Sequence, residues 1–176
     1  ISACLVGSEM CIRDRYNMDR EPAEYKIARA KEVMEYEMST PNNDYWWWAD
    51  GLYMVMPVMT KLYKVTDNQQ YLDKLYEYFT YAKNLMYDEE SALFYRDGKY
   101  IYPKHKTNQG LKDFWSRGNG WVFAGLAKVL QDLPENDAHR AEYITIYQAM
   151  AKSLATAQQE AVSYTHLRAH ETGRNL

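Results

Sequence analysis

Apolar residues recur along most of the chain at intervals of three and four, the spacing that gathers them on one face of an α-helix. The first such run follows Pro22 and carries Ile27, Ala30, Val33, Met34 and Met38. Ser39-Thr40-Pro41-Asn42-Asn43-Asp44 then breaks the pattern with a string of turn formers. A second helix is predicted from near Trp48 to about Val65, with Leu52, Val55, Met56, Met59, Leu62 and Tyr63 as its buried stripe. Pro57 within it implies a kink or a later start. Thr66-Asp67-Asn68 offers an N-cap for a third helix, whose apolar side is Tyr71, Leu72, Leu75, Tyr78, Phe79, Ala82 and Leu85. A fourth is predicted from about Asn119 to a stop at Pro134, burying Val122, Leu126, Val129 and Leu130. Asp137 caps a fifth, Ala138–Gln159, with Tyr143, Ile146, Tyr147, Met150 and Leu154 on its inner side.

Between the third and fourth helices the period changes. Leu93–Tyr95 and Tyr100–Tyr102 flank Arg96-Asp97-Gly98-Lys99, and the Asp-Gly pair predicts a small hairpin, followed by a polar loop through Lys112. His105 in that loop reads as solvated and Asp88-Glu89-Glu90 as a polar turn. The whole is an all-α pattern with mostly short connections, which favours antiparallel neighbours. Periodicity leaves a bundle, a helical solenoid and an α/α barrel open. No repeat of fixed length is evident, which counts against the solenoid.

The two ends do not continue this pattern, and the genetic code relates them. Leu5–Asp14 can be written CTC GTG GGC TCG GAG ATG TGT ATA AGA GAC, and its reverse complement translates in frame as Val162–Glu171. The string resembles the transposase adapter used to tag DNA libraries. Residues 1–15 and 162–176 are therefore expected to be translated adapter, with 16–161 the domain to interpret. Both cysteines, Cys4 and Cys11, fall in the first end, so cysteine usage says nothing of redox compartment. The tempting His166-x-x-x-His170 spacing falls in the second and carries no metal-site reading.

Charge and hydropathy narrow the function. With 21 Lys+Arg against 24 Asp+Glu the chain is mildly acidic, without the basic surface that nucleic acid requires. No apolar run approaches the ~20 residues of a membrane helix. Neither nucleic acid nor membrane is expected as a partner, and the oligomeric state is left open. The interior has no phosphate-binding glycine loop, no cysteine-based metal spacing and no serine nucleophile elbow, so no metal or cofactor is expected.

Two clusters could carry chemistry. In Tyr45-Trp46-Trp47-Trp48-Ala49-Asp50-Gly51-Leu52-Tyr53-Met54, three successive tryptophans cannot all face one core, so at least one should line a surface or cleft. Asp50 falls in the first turn of a helix, where a carboxylate also serves simply as a cap or dipole partner. Its large apolar neighbours would raise its pKa by desolvation and suit it to general acid work, while the helix dipole pushes the other way. The second cluster is Phe114-Trp115-Ser116-Arg117-Gly118-Asn119-Gly120-Trp121. Here Arg117 offers a fork for a carboxylate, and Trp115 and Trp121 offer stacking walls. The plainer alternative is a helix start with Asn119 as cap and Arg117 in a structural ion pair.

These stretches resemble a known family. Trp48-Ala-Asp-Gly-Leu-Tyr-Met54 with Met56-Pro57, Lys64-Val-Thr-Asp67 through Tyr71-Leu72, Tyr95-Arg96-Asp97 and Trp115-Ser-Arg-Gly-Asn-Gly-Trp121 are similar to the unsaturated rhamnogalacturonyl hydrolases. Those enzymes form glycoside hydrolase family 105, related to the unsaturated glucuronyl hydrolases of family 88. The resemblance spans nearly all of Tyr16–Glu160 and implies an interior fragment of an (α/α)6 barrel. It implies removal of a terminal Δ4,5-unsaturated uronic acid from a pectin oligosaccharide by hydration of its enol ether. By motif, Asp50 is the expected acid/base. Trp48, Met54, Arg96, Trp115, Arg117, Asn119 and Trp121 are the expected substrate contacts. A second functional carboxylate of the family has no assigned position here. Some relatives use a histidine near the hairpin, a role that would pass to Arg96. Another α/α-barrel sugar enzyme, such as an epimerase or a mannan-active hydrolase, and a non-catalytic carbohydrate-binding protein are the alternatives.

Overall fold

The computed structural model describes residues 24–158. The two ends assigned to adapter lie outside the described residues. Among the described residues, five helices and one small sheet follow in order: α1 (Glu24–Met38), α2 (Ala49–Thr66), α3 (Gln70–Met86), β1 (Tyr87–Asp88), β2 (Leu93–Phe94), α4 (Ser116–Asp132) and α5 (Arg140–Ala157). The chain is mostly helical, as the periodicity predicts.

Helix α2 runs unbroken through Pro57, which lies buried inside it. The proline lacks an N–H, and the helix tolerates it because α2 is enclosed nearly all round: Leu52, Val55 to Thr60 and Leu62 are buried. Asp67 ends α2 in the left-handed conformation (φ 55°), its N–H bonded to the Tyr63 carbonyl. The neighbouring Asn68 accepts from the Gln70 N–H at 3.0 Å and so opens α3. Thus the Thr-Asp-Asn string divides its work between two helix ends. Helix α4 begins at Ser116, three positions before the expected Asn119, with Trp115 at the N-cap.

Helices α1 and α2, α2 and α3, and α4 and α5 pack on one another, but the most extensive contact joins α2 to α4. These two run parallel. Tyr53 meets Trp121 near their N-termini, with ring centroids 4.7 Å apart. Gly125 lies against Leu52, Tyr53 and Met56 midway. Lys61 and Lys64 both reach Asp132 at the C-terminal ends, at 3.0 and 3.2 Å. A Cβ on Gly125 would stand 3.2 Å from the Tyr53 Cα, so the glycine sets how closely the helices approach. Behind this layer, α3 and α5 touch through Phe79 and Tyr143 (4.9 Å) and through the Lys83–Glu142 ion pair. The Tyr71 hydroxyl of α3 donates to Glu35 of α1 at 3.2 Å. The expectation of antiparallel neighbours therefore describes the connections, while the dominant interface is a parallel one made across them. One hydrophobic core runs between the layers, from Ile27 and Met34 through Leu52, Met59, Leu75, Phe79, Leu126 and Val129 to Tyr143 and Met150.

The hairpin differs from its prediction. Tyr87 pairs with Phe94 and Asp88 with Leu93, so the strand that pairs with Leu93–Phe94 directly follows α3 and is not the segment after Gly98. Gly98 is absent from the positive-φ positions, so Asp97-Gly98 does not form the mirror-image turn that the pair signals. Instead Asp97 makes a local turn, accepting the Lys99 N–H on its carboxylate at 2.8 Å. Its glycine fits under Leu85, whose Cδ1 would lie 3.2 Å from any added Cβ.

Candidate active site

The N-termini of α2 and α4 lie side by side and are built alike. Each is entered through an extended tryptophan at the N-cap, Trp48 or Trp115, that makes no side-chain cap bond. Each has a charged residue at the second helical position, Asp50 or Arg117, and a glycine at the third, Gly51 or Gly118. The glycines make room for the tryptophans. A Cβ at Gly51 would meet the Trp48 ring at 3.2 Å, and one at Gly118 would meet the Trp115 ring at 2.5 Å, inside any real contact. Each indole therefore folds over the first turn of its own helix. This duplicated Trp-x-x-Gly device is a short internal repeat, too brief to appear as a repeat of fixed length along the chain.

The segment 94–97 stitches the two helix starts together. Asn119 is fully buried, and its amide accepts the Phe94 N–H and donates to the Phe94 carbonyl, both at 2.8 Å. It mimics a pairing strand and commits both of its polar ends to the backbone. Two residues on, the Arg96 carbonyl accepts the Ala49 N–H at 2.9 Å, and Trp48 forms an antiparallel bridge with Asp97. Backbone from the hairpin thus does the capping at α2 that a side chain would usually do.

This arrangement brings Arg117 and Arg96 near enough to Asp50 for both charges to act on it. Burial raises the Asp50 carboxyl above the usual range, opposed by the charges of Arg117 and then Arg96 and by its own backbone N–H. Of the two opposed influences on this residue, desolvation wins. Arg117 lies over the Trp115 ring, 4.6 Å from its centroid. Trp121 is exposed and leans on Tyr53, giving an aromatic surface beside the acid. Of the three successive tryptophans, Trp46 is buried, Trp47 is 51% exposed and Trp48 is intermediate. Met54 is half-buried and packs against the core.

Tyr53, Asp97 and Tyr100 complete the surroundings and were not singled out from the sequence. A search for motifs favours rare residues and has no signal for a tyrosine among 17. His105 is not a solvated loop residue: its Nε2 is 2.7 Å from the Asp113 carboxylate, and its ring packs on Tyr100 at 4.6 Å. Asp88 likewise does more than form a turn, since Lys112 bonds it at 2.8 Å. Among the described residues no group of three or more His, Cys, Asp or Glu side chains could hold a metal ion. No described helix is long and apolar enough to cross a membrane.

A carboxyl raised by burial against the pull of two guanidinium charges, on paired helix starts walled with indoles, sits in an all-α scaffold shared with carbohydrate-active enzymes. Solved structures with this scaffold include a glycosyl hydrolase family 88 protein from Bacteroides vulgatus, at 56% identity and a TM-score of 0.83, covering 87% of this chain and 44% of that one. Another is described as a polysaccharide lyase, at 63% identity and a TM-score of 0.84, covering 88% and 44%. A family 105 glycoside hydrolase from C. acetobutylicum shares the fold at 24% identity and a TM-score of 0.65. The profile of glycosyl hydrolase family 88 matches residues 8–174, and the chain belongs to that family. An unsaturated 3S-rhamnoglycuronyl hydrolase from Formosa agariphila is 38% identical over 119 residues, 64% of this chain and 31% of that protein. One of the same description from an Alteromonas species is 36% identical over 115 residues, 65% and 27%. The chain thus spans about a third of these relatives' length and under half of the solved chains. The family shown is 88, named in the sequence resemblance as the relative of family 105, and a solved family 105 protein shares the fold.

Proposed function

We propose that this chain is part of a longer hydrolase that removes a terminal Δ4,5-unsaturated uronic acid from an oligosaccharide, with Asp50 as its acid/base. Its two helix layers then form an arc of an (α/α)6 barrel. The observation that carries the reading is the Asp50 carboxyl, raised by burial and flanked by Arg117 and Arg96. A carboxyl raised toward the working pH is better suited to give its proton to carbon and take one back. The Asp50 proton goes to C4 of the enol ether, and a water oxygen bonds to C5. The water's proton returns to the Asp50 carboxylate. The C5 hemiketal then opens to a ketone, and the hemiacetal left at C1 expels the linked sugar. One carboxyl serves both proton transfers, unlike the carboxylate pairs of ordinary glycosidases.

Arg117 and Arg96 are the groups suited to the uronate carboxylate, each able to bind it through two parallel N–H bonds. Trp115, Trp121, Tyr53 and Trp48 form the walls against which the ring stacks, with Met54 beside them. Asn119 acts on the backbone and holds the hairpin to α4. An oligosaccharide is the proposed partner; nothing in the site calls for nucleic acid or membrane.

The polysaccharide lyase description of one similar structure raises a second reading, in which the unsaturated bond is made and not consumed. Ultraviolet absorbance of the conjugated double bond separates the two by sign. The full-length protein, given lyase-generated pectin fragments, is expected to bleach that absorbance, and Asp50→Asn is expected to lose about 100-fold or more of the rate. Rising absorbance on saturated polymer would establish the lyase. Full activity in Asp50→Asn would remove Asp50 from the chemistry. Offering 3S-rhamnoglycuronyl and pectin-type substrates side by side assigns the linked sugar.

A further inference from the structure

We propose that Tyr100 is a positioning residue that holds Arg96 against the acid of the site. The proposal rests on the reading of Asp50 as acid/base and extends it to a residue that acts through Arg96. Arg96 is a long side chain half open to solvent, and free rotation about its stem would carry its charge away from Asp50. Two contacts restrain it at one point. Its Nη1 donates to the Tyr100 hydroxyl at 2.9 Å, and its guanidinium lies over the Tyr100 ring, 5.0 Å from the centroid. The neighbouring Asp97 is a weaker anchor: its Oδ2 is 3.6 Å from the Arg96 Nε, and its other oxygen is taken by the Lys99 N–H.

Tyr100 is itself fixed from behind. The His105 ring packs on it at 4.6 Å, and His105 is tied to Asp113 at 2.7 Å, two positions before Trp115. A chain of contacts thus runs from the entry to α4, through His105 and Tyr100, to Arg96 and the flank of Asp50. The charged groups that face Asp50 are Arg117 from α4 and Arg96 from the hairpin segment, and Asp97 is the carboxylate beside Arg96. Arg96 lowers the Asp50 pKa, so loosening it raises that pKa and keeps the acid protonated to higher pH.

The test is a mutant cycle in the full-length protein, with pH profiles of kcat/KM. Tyr100→Ala is expected to lose roughly tenfold in kcat/KM and to move the alkaline limb of the profile to higher pH. Tyr100→Phe keeps the ring beneath the guanidinium and the packing with His105, and is expected to move the limb in the same direction by less. In an Arg96→Ala background, Tyr100→Ala is expected to add nothing, because both changes remove one interaction. Unshifted limbs in both tyrosine variants overturn the proposal, and so do losses that add across the cycle. Where Tyr100→Ala melts early, Tyr100→Phe and its profile decide. Full activity in Asp50→Asn refutes the acid/base reading instead, whatever the tyrosine variants do.

Discussion

At the Trp115–Gly118 pair, a missing methyl group decides where an indole sits. The 2.5 Å separation between a Cβ at Gly118 and the Trp115 ring cannot exist, so Gly118→Ala must displace the ring and the Arg117 guanidinium stacked on it. Activity is expected to fall about tenfold or more while the far-ultraviolet helix signal is kept, and wild-type turnover in this variant would show that the ring's place does not matter. Asp50 offers a pH test at the same scale. Its folded pKa lies above the unfolded value because burial outweighs Arg117 and Arg96. Between those values the folded protein holds more protons than the unfolded, so stability falls as pH rises through the window and stays lower above it. Asp50→Asn removes this penalty. The full-length variant is expected to melt above wild type at neutral pH, with the difference closing below the ordinary aspartate range. Equal melting temperatures at pH 7 would mean that the carboxyl is not desolvated. The identity of Asp50 and Arg117 was legible in the sequence. The sign of the Asp50 shift was not, since two local influences oppose each other and only the surrounding burial settles them.

At the scale of elements, the parallel α2–α4 contact is what assembles the site. It places Asp50 and Arg117 at adjacent helix starts although many residues separate them in the chain. Gly125 is a point of close approach in that contact, facing the α2 backbone at Tyr53 and Leu52. Gly125→Val inserts a branched side chain where a single carbon is already tight, and is expected to cost roughly 1–3 kcal/mol in denaturant unfolding of the full-length protein. An unchanged midpoint would mean that the two helices separate freely there. The buried stripes read from periodicity match the core closely: Leu52, Val55, Met56, Met59 and Leu62 in α2, and Val122, Leu126 and Val129 in α4, are all buried. The hairpin was misread for a definable reason. Asp97-Gly98 satisfies a turn rule, but the partner strand is chosen by Tyr87 and Asp88 leaving α3 beside Phe94. Asn119 then captures Phe94, a long-range bond that no local rule contains.

For the whole molecule, the chain spans under half the length of the similar solved structures. Within the described residues the front layer is two helices wide, and Trp47, Leu111 and Tyr36 are exposed. Apolar surface of this kind favours association. Residues 1–176 expressed alone are expected to elute as oligomer or aggregate and to turn over no unsaturated substrate. A monomer by light scattering that melts in one cooperative step would contradict this.

The sequence by itself determined the helices, the face each one buries, the class of family and the motifs from which the proposed site is drawn. These are local properties: a period of three and four reports which side of a helix is apolar, and a motif reports which chemistry its residues can do. Tertiary structure decided the rest. It paired α2 with α4 in parallel, gave the hairpin its register, turned Asn119 from a cap into a strut, and brought the charges of Arg117 and Arg96 to bear on Asp50. The physical reason is that close approach, shared hydrogen bonds and desolvation are sums over residues distant in sequence, and those sums exist only once the chain has folded.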